Sequence, residues 1–573
     1  MYYRLLSSLF AATVLQLSIS AMAQLKVDGR NVCLDTLTST LLATVPEAMF
    51  GHDATLQVEK MQGWQDVTIN GTVIDSTPFP FSQLSAENKW TVKATKADGT
   101  TLNASLQFTF LPIVQLLPSN AEGFSNQYQH AHFLFSYPSS TTTDTLTASI
   151  KWRGGTTNTP DKHKRNYKVN FSQDQRFFGL RNDDKWMLDA GQPDVFRLRN
   201  RIAMDLWNKM ARKPYYIEQE PKALNGVRGS VVELFLGHEW IGIYNLSEFI
   251  DRKQLKLKKI DSKTGSIHGC LYKSVSWSKV QMFDYFDTYD NTKDTFFGYE
   301  FKYPELHSDS DTVDWTPLIQ ANNFVRNSSD NEFQEHIGDY FDIPVIIDYN
   351  IFYNVVNAID NNGKNMYWAV YDKTTTKQLT PTPWDLDATF GQRWGGRLEQ
   401  EIDEGNYTSP DFKMDFELYL TYRFFRDNFN DYVGQLNERY QTLRQPGQPL
   451  HTDSIIAIVT HYYQAIKHSG AAAREEAKWS RDDDVWNDVI DFDTEYHYIC
   501  DWIRRRMDFI DQTELPLFYK STYFDELCTR TPALNTQPST HNIYDLSGRK
   551  VISYPSSPNT RLYIRDRRKF IGK

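Results

Sequence analysis

The sequence predicts a multidomain α+β protein, and three patterns along the chain support this fold class. Residues before about 112 form short runs of alternating polarity with turns between them. Residues after about 343 carry apolar side chains at helical spacing with charges between them. A linker rich in Thr, Pro and Ser then precedes a last group of short strand-like runs. A chain of 573 residues has room for several domains.

The N-terminus contains the three parts of a secretory signal peptide in their usual order. Arg4 supplies the positive charge, Leu5 to Leu17 forms a short apolar run, and Ala21-Met22-Ala23 provides a cleavage site. We predict a signal peptide at residues 1–23 and a protein that is secreted or held at the cell surface, with the periplasm as the alternative. No other stretch of sequence is long and apolar enough to predict a transmembrane segment.

Residues 24–112 are predicted to form a β-sandwich of the immunoglobulin-like kind. Asp66 to Gly71 and Lys89 to Ala94 alternate in polarity, and Asp98-Gly99 is typical of a hairpin turn. This region contains no group of residues that indicates chemistry.

Residues 113–520 are predicted to form one domain, with strands before helices. Strands are expected at Thr147 to Trp152 and Tyr167 to Phe171, a helix at Arg201 to Met210, and a hairpin around the Gly237-His238 turn.

Residues 521–540 are predicted to be a linker, and residues 541–573 a small β module. The module resembles C-terminal modules of secreted Bacteroidetes proteins, some of which are sorting signals for export. The four cysteines, Cys33, Cys270, Cys500 and Cys528, are too scattered for a zinc site. Cys500 and Cys528 are the closest pair, and the sequence does not decide whether they form a disulfide.

The most informative motif is an acidic one in two halves. Asp360 is followed by Asn365 with four residues between them, which is the spacing of a protein-kinase catalytic loop. Trp384-Asp385-Leu386-Asp387 follows after a hairpin-length gap. A helix is predicted before Asp360 and a two-strand hairpin between the halves, so the order matches a kinase C-terminal lobe.

This order of residues suits phosphoryl transfer, because Mg²⁺ prefers oxygen ligands and neutralises phosphate oxygens. Asp360 fits a catalytic Asp that takes the proton of an acceptor hydroxyl. Asn365 fits a metal ligand, and Asp385 or Asp387 fits the main metal ligand. Each Asp by itself is also an ordinary turn or cap residue, and only the group in its predicted context favours function.

Three further residues are candidates for contacts with the nucleotide. Lys168 lies in a strand-like run, where kinases place a phosphate-binding lysine, and Glu248 is a candidate partner for it. Arg153, with the two glycines after it, fits a tight turn that presents N–H groups to phosphate. An exposed strand lysine and a plain turn explain Lys168 and Arg153 equally well.

The segments in this region, taken in order, resemble the spore-coat CotH-type kinase family. The matching segments include Lys151 to Thr157, Lys164 to Phe171, Lys185 to Ala190, Arg199 to Ala203, Trp240 to Glu248, Asp360 to Asn365, Pro383 to Gly391 and Trp502 to Ile510. The resemblance implies an atypical two-lobed kinase fold that uses ATP with Mg²⁺ or Mn²⁺ and phosphorylates protein Ser. It also implies that Asp360 and Asp385 are catalytic. Leu255 to Pro344 matches the family poorly, and we interpret it as a lid or a substrate-binding insertion.

Two hypotheses for function follow. The first is an exported protein kinase that transfers the ATP γ-phosphate to Ser or Thr of a secreted or surface protein. The second is a catalytically weak or inactive kinase-like protein that binds a polysaccharide or a surface protein. The 14 Trp and 32 Tyr residues suit either packed cores or glycan-stacking surfaces. The formal net charge of −10 argues against nucleic acid as a partner.

Overall fold

The computed structural model describes most of the chain between residues 25 and 513. The described residues are 25–60, 63–120, 123–159, 162–276, 281, 283, 289–306, 313–358, 360–361, 363–393, 396–397, 419–480 and 489–513, with four strands between 543 and 572. The predicted signal peptide and linker lie outside them. The chain divides into two compact units, Met1–Tyr519 and Lys520–Lys573.

The first region is made of short strands around one core. Its strands, β1 to β11, are Lys26–Val27, Arg30–Asn31, Cys33–Asp35, Thr40–Thr44, Ala54–Leu56, Val58–Glu59, Trp64–Ile69, Thr72–Val73, Phe79–Phe81, Trp90–Lys96 and Thr101–Thr109. Six of them form one sheet in the order β3-β4-β11-β10-β7-β8. In β10 the buried residues Trp90, Val92 and Ala94 alternate with exposed ones, because successive side chains point to opposite faces. The predicted turn at Asp98-Gly99 does join β10 to β11.

The second region is a closed seven-stranded barrel. Its strands, β12 to β18, are Ile113–Pro118, Gln129–Ser136, Thr143–Arg153, Asn166–Gln175, Asp183–Asp189, Gly229–Leu236 and Glu239–Ser247. A parallel pairing of β12 with β17 closes the barrel. Val169, Trp186 and Leu246 are fully buried in its interior. The alternate positions, which include Lys168, Met187 and Ser247, therefore point outward.

The third region combines a five-stranded sheet with helices. Strands β19 to β23 are Cys270–Ser274, Thr295–Phe296, Tyr299–Tyr303, Met366–Val370 and Thr380–Pro383, and a small hairpin adds β24 (Gln392–Arg393) and β25 (Gly396–Arg397). Helices α1 to α10 are Arg199–Met210, Arg252–Leu255, Thr316–Asn327, Asp330–Tyr340, Ile343–Val356, Tyr419–Asp427, Tyr432–Arg444, Thr452–His468, Ala471–Trp479 and Phe492–Thr513. The sheet order is β20-β21-β19-β22-β23.

The segment from Leu255 to Pro344 is not simply an insertion over the fold. It supplies β19, the central strand of this sheet, which pairs with β22. Phe283 is fully buried and packs against Phe341 and Trp368, with ring centroids 5.4 and 5.5 Å away. The interpretation as a lid is therefore wrong for these described residues, because they build the core under the acidic motif.

Helix α9 is fixed to the barrel by a buried ionic network. One carboxylate oxygen of Glu475 accepts hydrogen bonds from Lys164 at 2.7 Å and Arg197 at 2.8 Å. The other accepts the backbone N–H of Ile243 at 2.8 Å. A Cβ at Gly242 would lie 2.4 Å from this carboxylate, so only glycine leaves room for it. The network holds helix α9 against the barrel strand that contains Ile243.

The C-terminal unit contains strands where the sequence predicts them. β26 to β29 are Ile543–Asp545, Lys550–Val551, Arg561–Arg565 and Arg568–Gly572, and they form a sheet in the order β27-β26-β28-β29. The described part of the chain contains no helix with both the length and the apolar character needed to cross a membrane. Of the four cysteines, Cys33, Cys270 and Cys500 are described, and each is buried and unbonded to the others.

Candidate functional site

The two halves of the acidic motif meet through backbone hydrogen bonds. Helix α5 ends at Val356, and the loop after it leads into β22. The carbonyl of Asn365 accepts the N–H of Trp384 at 2.9 Å. The buried side chain of Asn361 donates to the carbonyls of both Asn365 and Trp384, at 3.0 and 2.6 Å. These bonds bring the Asp360 loop and the Asp385 loop side by side.

Asp360 is buried and firmly oriented. Lys364 donates to both of its carboxylate oxygens at 2.9 Å, and Asn365 Nδ2 donates to Oδ2 at 2.6 Å. Burial raises the pKa of Asp360, and the charge of Asp385 raises it further, whereas Lys364 and Asn365 oppose the shift. Sequence reasoning missed Lys364, although a lysine four residues after Asp360 could have indicated an ion pair between the two.

Asp385 differs from Asp360 in its exposure and its backbone. It is exposed, its φ of 59° lies in the left-handed region, and it accepts no hydrogen bond from any described residue. Asn365 is also left-handed, with φ of 51°. Asn and Asp tolerate this conformation better than other residues with side chains, and such backbones concentrate at functional sites.

The pKa of Asp387 is affected by the carboxylates around it. Its pKa lies well above the usual range because of burial and because of the charges of Asp385, Asp360 and Asp189. Asp387 is half-buried. Carboxylates that repel one another in this way are a donor set that a divalent cation can neutralise.

The barrel contributes an acidic residue that sequence reasoning missed. Asp189, at the end of β16, is buried and accepts Nδ2 of Asn200 at 2.8 Å. Asn200 in turn accepts the backbone N–H of Leu386 at 3.1 Å. Next to it, the buried guanidinium of Arg199 donates to the carbonyl of Thr389 at 3.1 Å. Helix α1 therefore fixes the loop that carries Asp385 and Asp387.

Arg153 and Lys168 lie over a pair of aromatic rings at the cleft. Trp384 and Phe249 stack with centroids 6.4 Å apart and planes 17° apart. The guanidinium of Arg153 lies 5.5 Å from the Trp384 ring, and the ammonium of Lys168 lies 5.7 Å from the Phe249 ring. A small pocket beside them is lined by Arg153, Met187, Asp189, Asn200, Arg201, Met204, Val227, Asn245, Ser247, Trp384 and Asp385. Arg153 therefore lies at the same cleft as Asp385.

The predicted pairing of Lys168 with Glu248 is wrong for this structure. Glu248 is fully buried and forms a two-point ion pair with Arg228, at 2.7 and 3.1 Å. It also accepts the backbone N–H groups of Arg228 and Arg181, at 3.0 and 3.2 Å. These bonds fill its oxygens, so Glu248 anchors the end of β18 instead of a phosphate-binding lysine.

Lys273 is a further lysine near the acidic motif that sequence reasoning missed, as it missed Lys364. It lies on β19, and its side chain is half-buried. The pKa of Lys273 is lowered to about 8, mainly by burial and then by the charge of Arg153, while the charge of Asp385 opposes the shift. Lys273 therefore shares an electrostatic environment with Arg153 and Asp385, although it comes from a different sheet.

A separate acidic cluster lies on the barrel. The carboxylate oxygens of Asp174, Asp183 and Asp184 lie within 4.8 Å of one another, the only such group among the described residues. Lys253 donates to Asp183 at 2.9 Å and to Asp184 at 2.5 Å. Arg181 lies 3.1 Å from Asp183. Protein cations thus neutralise this cluster.

A comparison with known families agrees with the geometry of the candidate site. Residues 150–510, more than half of the chain, match the family described as CotH kinase protein. The match includes the barrel strands β15 to β18, the sheet that carries Lys273 and both halves of the acidic motif. No curated protein matches the chain. The protein therefore belongs to the CotH kinase family.

Proposed function

We propose that this protein is an exported atypical protein kinase that transfers the ATP γ-phosphate to Ser or Thr of a secreted or surface protein. The observation that carries the proposal is the pairing of a buried, oriented Asp360 with an exposed, unneutralised Asp385 on two loops joined by backbone bonds. The secreted location rests on the N-terminal sequence alone.

The donor set fits a divalent cation with a nucleotide. Among the described residues Asp385 forms no ion pair. Asn365 donates its amide nitrogen to Asp360, which leaves its Oδ1 without a hydrogen bond in the same part of the chain. The raised pKa of Asp387 shows repulsion that a cation would relieve. Asp385, Asn365 and Asp387 are therefore the residues that would hold Mg²⁺ or Mn²⁺, and Arg153 and Lys168 lie where they can meet phosphate.

ATP with its metal ion supplies the phosphoryl group and the charge that stabilises its transfer. Asp360 orients the acceptor hydroxyl and takes its proton. Lys364 and Asn365 fix the carboxylate for this task, since they hold both of its oxygens. Asn200 and Arg199 keep the Asp385 loop in place from the side of helix α1.

The test combines a binding measurement with a transfer measurement. Purified protein without the signal peptide should gain thermal stability from ATP with Mn²⁺ or Mg²⁺, and it should transfer labelled γ-phosphate to itself or to an added acceptor protein. Stabilisation by a polysaccharide with no effect of nucleotide would support the binding-protein hypothesis instead. If the Asp360→Asn and Asp385→Asn variants transferred phosphate as well as the unmodified protein does, the assignment of the site would be contradicted.

A further inference from the structure

Lys273 occupies a central position next to the acidic motif. Its neighbour Ser274 accepts the N–H of Asn365 at 3.0 Å, and the Ser274 hydroxyl donates to the carbonyl of Gly363. β19 therefore holds the Asp360 loop directly. In the register of the sheet, Lys273 lies between Tyr367 on β22 and Glu300 on β21.

The side chain of Lys273 is directed toward the cleft. Directly opposed residues on paired strands place their side chains on the same face, so Lys273 shares a face with Tyr367. The Tyr367 ring packs edge-on against Trp384 at 5.7 Å, and Trp384 is the ring beneath Arg153. The electrostatic influence of Arg153 and Asp385 on Lys273 agrees with this direction.

Lys273 lacks the partner that its sheet position offers. Glu300 is beside it, but Glu300 forms an ion pair with Lys302 at 2.5 Å. Within the described residues, Lys273 makes no hydrogen bond or ion pair of its own. The charges of Asp385 and Glu300 favour the ammonium form of Lys273, but neither carboxylate forms an ion pair with it among the described residues. Lys273 is therefore placed to contact an anionic ligand beside Arg153.

We propose that Lys273 binds phosphate oxygens of the nucleotide, together with Arg153, beside the loop that carries Asp385. This inference rests on the proposed kinase function, and it assigns the main phosphate-binding lysine to the sheet of the helical region instead of the barrel. The two cations come from different sheets, Arg153 from the end of β14 in the barrel and Lys273 from β19, and the charge of Arg153 acts on Lys273.

The contacts of Lys168 make it the weaker candidate for this role. Lys168 lies directly opposite Lys151 on the outer face of the barrel, and its expected partner Glu248 is bound to Arg228. Its ammonium lies over Phe249, whereas Arg153 lies over Trp384. Arg153 is the first charged group that lowers the pKa of Lys273, whereas for Lys168 it comes after Lys185 and Lys302.

An acyl-phosphate derivative of ATP tests which lysine lies next to the phosphates. The lysine amine attacks the acyl carbonyl and forms an amide, the acyl–oxygen bond to phosphate breaks, and ATP leaves with the electron pair and without the acyl group. A proton is lost from the nitrogen to solvent. At pH 8 a substantial fraction of Lys273 is the neutral amine, since burial lowers its pKa to about 8.

We expect mass spectrometry to find acylation of Lys273 that excess ATP with Mg²⁺ prevents. ATP-protected acylation of Lys168 or Lys364 with Lys273 unmodified would overturn this inference and leave the proposed function standing. ATP-protected acylation of no lysine would overturn both.

Substitutions of Lys273 give a second, independent test of its role in nucleotide binding. Lys273→Met should weaken the binding of ATP with Mn²⁺, measured by calorimetry, by at least about tenfold, which is the loss of one charge-assisted contact. Lys185→Met is the matched control, because Lys185 is an outward-facing lysine that pairs with Glu305, and we expect it to keep affinity within about twofold. Lys273→Arg, which keeps the charge, shows that the strand still folds. Equal affinities of Lys273→Met and the unmodified protein would contradict the role.

Discussion

Two groups of three aspartates in this molecule differ in how their charges are met. Asp174, Asp183 and Asp184 have ligand oxygens within 4.8 Å of one another, which is the tighter arrangement. Their charges are met by Lys253 and Arg181, so the group is a salt-bridge cluster. Closeness of carboxylates alone is therefore a poor sign of a metal site.

The second group, Asp360, Asp385 and Asp387, is more widely spread. Lys364 forms an ion pair with Asp360, whereas Asp385 is exposed and forms no ion pair with any described residue. The pKa of Asp387 is raised well above its usual range. Asp385 also has a left-handed backbone. We therefore place the proposed metal site at the second group, where carboxylate charges add to burial in raising the pKa of Asp387.

The largest expected effect is a loss of phosphate transfer when a carboxylate of the second group is replaced by an uncharged amide. Asp360→Asn and Asp385→Asn should each lower phosphate transfer by roughly 10³-fold or more, which is about 4 kcal/mol of transition-state stabilisation. The melting temperature of Asp385→Asn should stay close to that of the unmodified protein, because Asp385 is exposed and accepts no hydrogen bond from the described residues. Asp360→Asn should lower it, because the carboxylate that Lys364 pairs with is lost.

Asp184→Asn is the matched control in the first group, and we expect it to retain transfer activity. If Asp184→Asn abolished transfer and Asp385→Asn did not, the first group would be the active site and the second group would not.

A smaller effect is expected at Lys364. Lys364→Met removes both hydrogen bonds to the Asp360 carboxylate, so kcat should fall by about 10- to 100-fold, the equivalent of one lost bond between charged groups. KM for ATP should change little, since Lys364 holds the catalytic group. A change in KM alone, with kcat preserved, would show that Lys364 binds the nucleotide instead.

Asn200 should have the next largest effect. Asn200→Ala removes the bond to Leu386 and the bond to Asp189, so the Asp385 loop becomes less well positioned. We expect a loss of about tenfold in kcat/KM. Asn208→Ala on the same helix is the control, because Asn208 bonds the carbonyl of Val227 at 2.8 Å and does not touch the loop. Equal losses in both variants would point to general destabilisation of helix α1.

The smallest effect is expected where protein cations already neutralise the carboxylates. Lys253→Gln should lower the free energy of unfolding by about 1 kcal/mol or less, because Lys253 is partly exposed and such pairs are weak. Phosphate transfer should be unchanged. A large loss of transfer with normal stability would show that the first group takes part in function.

Local features of the fold could be predicted from the sequence. The turn at Asp98-Gly99, the strand before Arg153, helix α5 and the hairpin after Asn365 each depend on patterns within about ten residues. Their positions in the structure agree with those patterns within a few residues. The acidic motif was recognisable for the same reason, since both halves are short and contiguous.

Features that depend on long-range pairing could not be predicted. Closure of the barrel requires β12 to pair with β17, more than a hundred residues later. The partner of Glu248 is decided by the position of Arg228, and Lys273 reaches the cleft because β19 pairs with β22. No local periodicity encodes these contacts, because they depend on how separate segments pack.

The central claim is that Asp385 and Asn365 hold the metal ion of a nucleotide site. A crystal structure of the protein soaked with Mn²⁺ and a non-hydrolysable ATP analogue tests this claim most directly, because manganese is located by its anomalous scattering. We predict an anomalous peak coordinated by Asp385 and Asn365, next to the phosphates. Bound nucleotide with manganese at Asp174, Asp183 and Asp184 instead, or with none beside Asp385, would contradict the account.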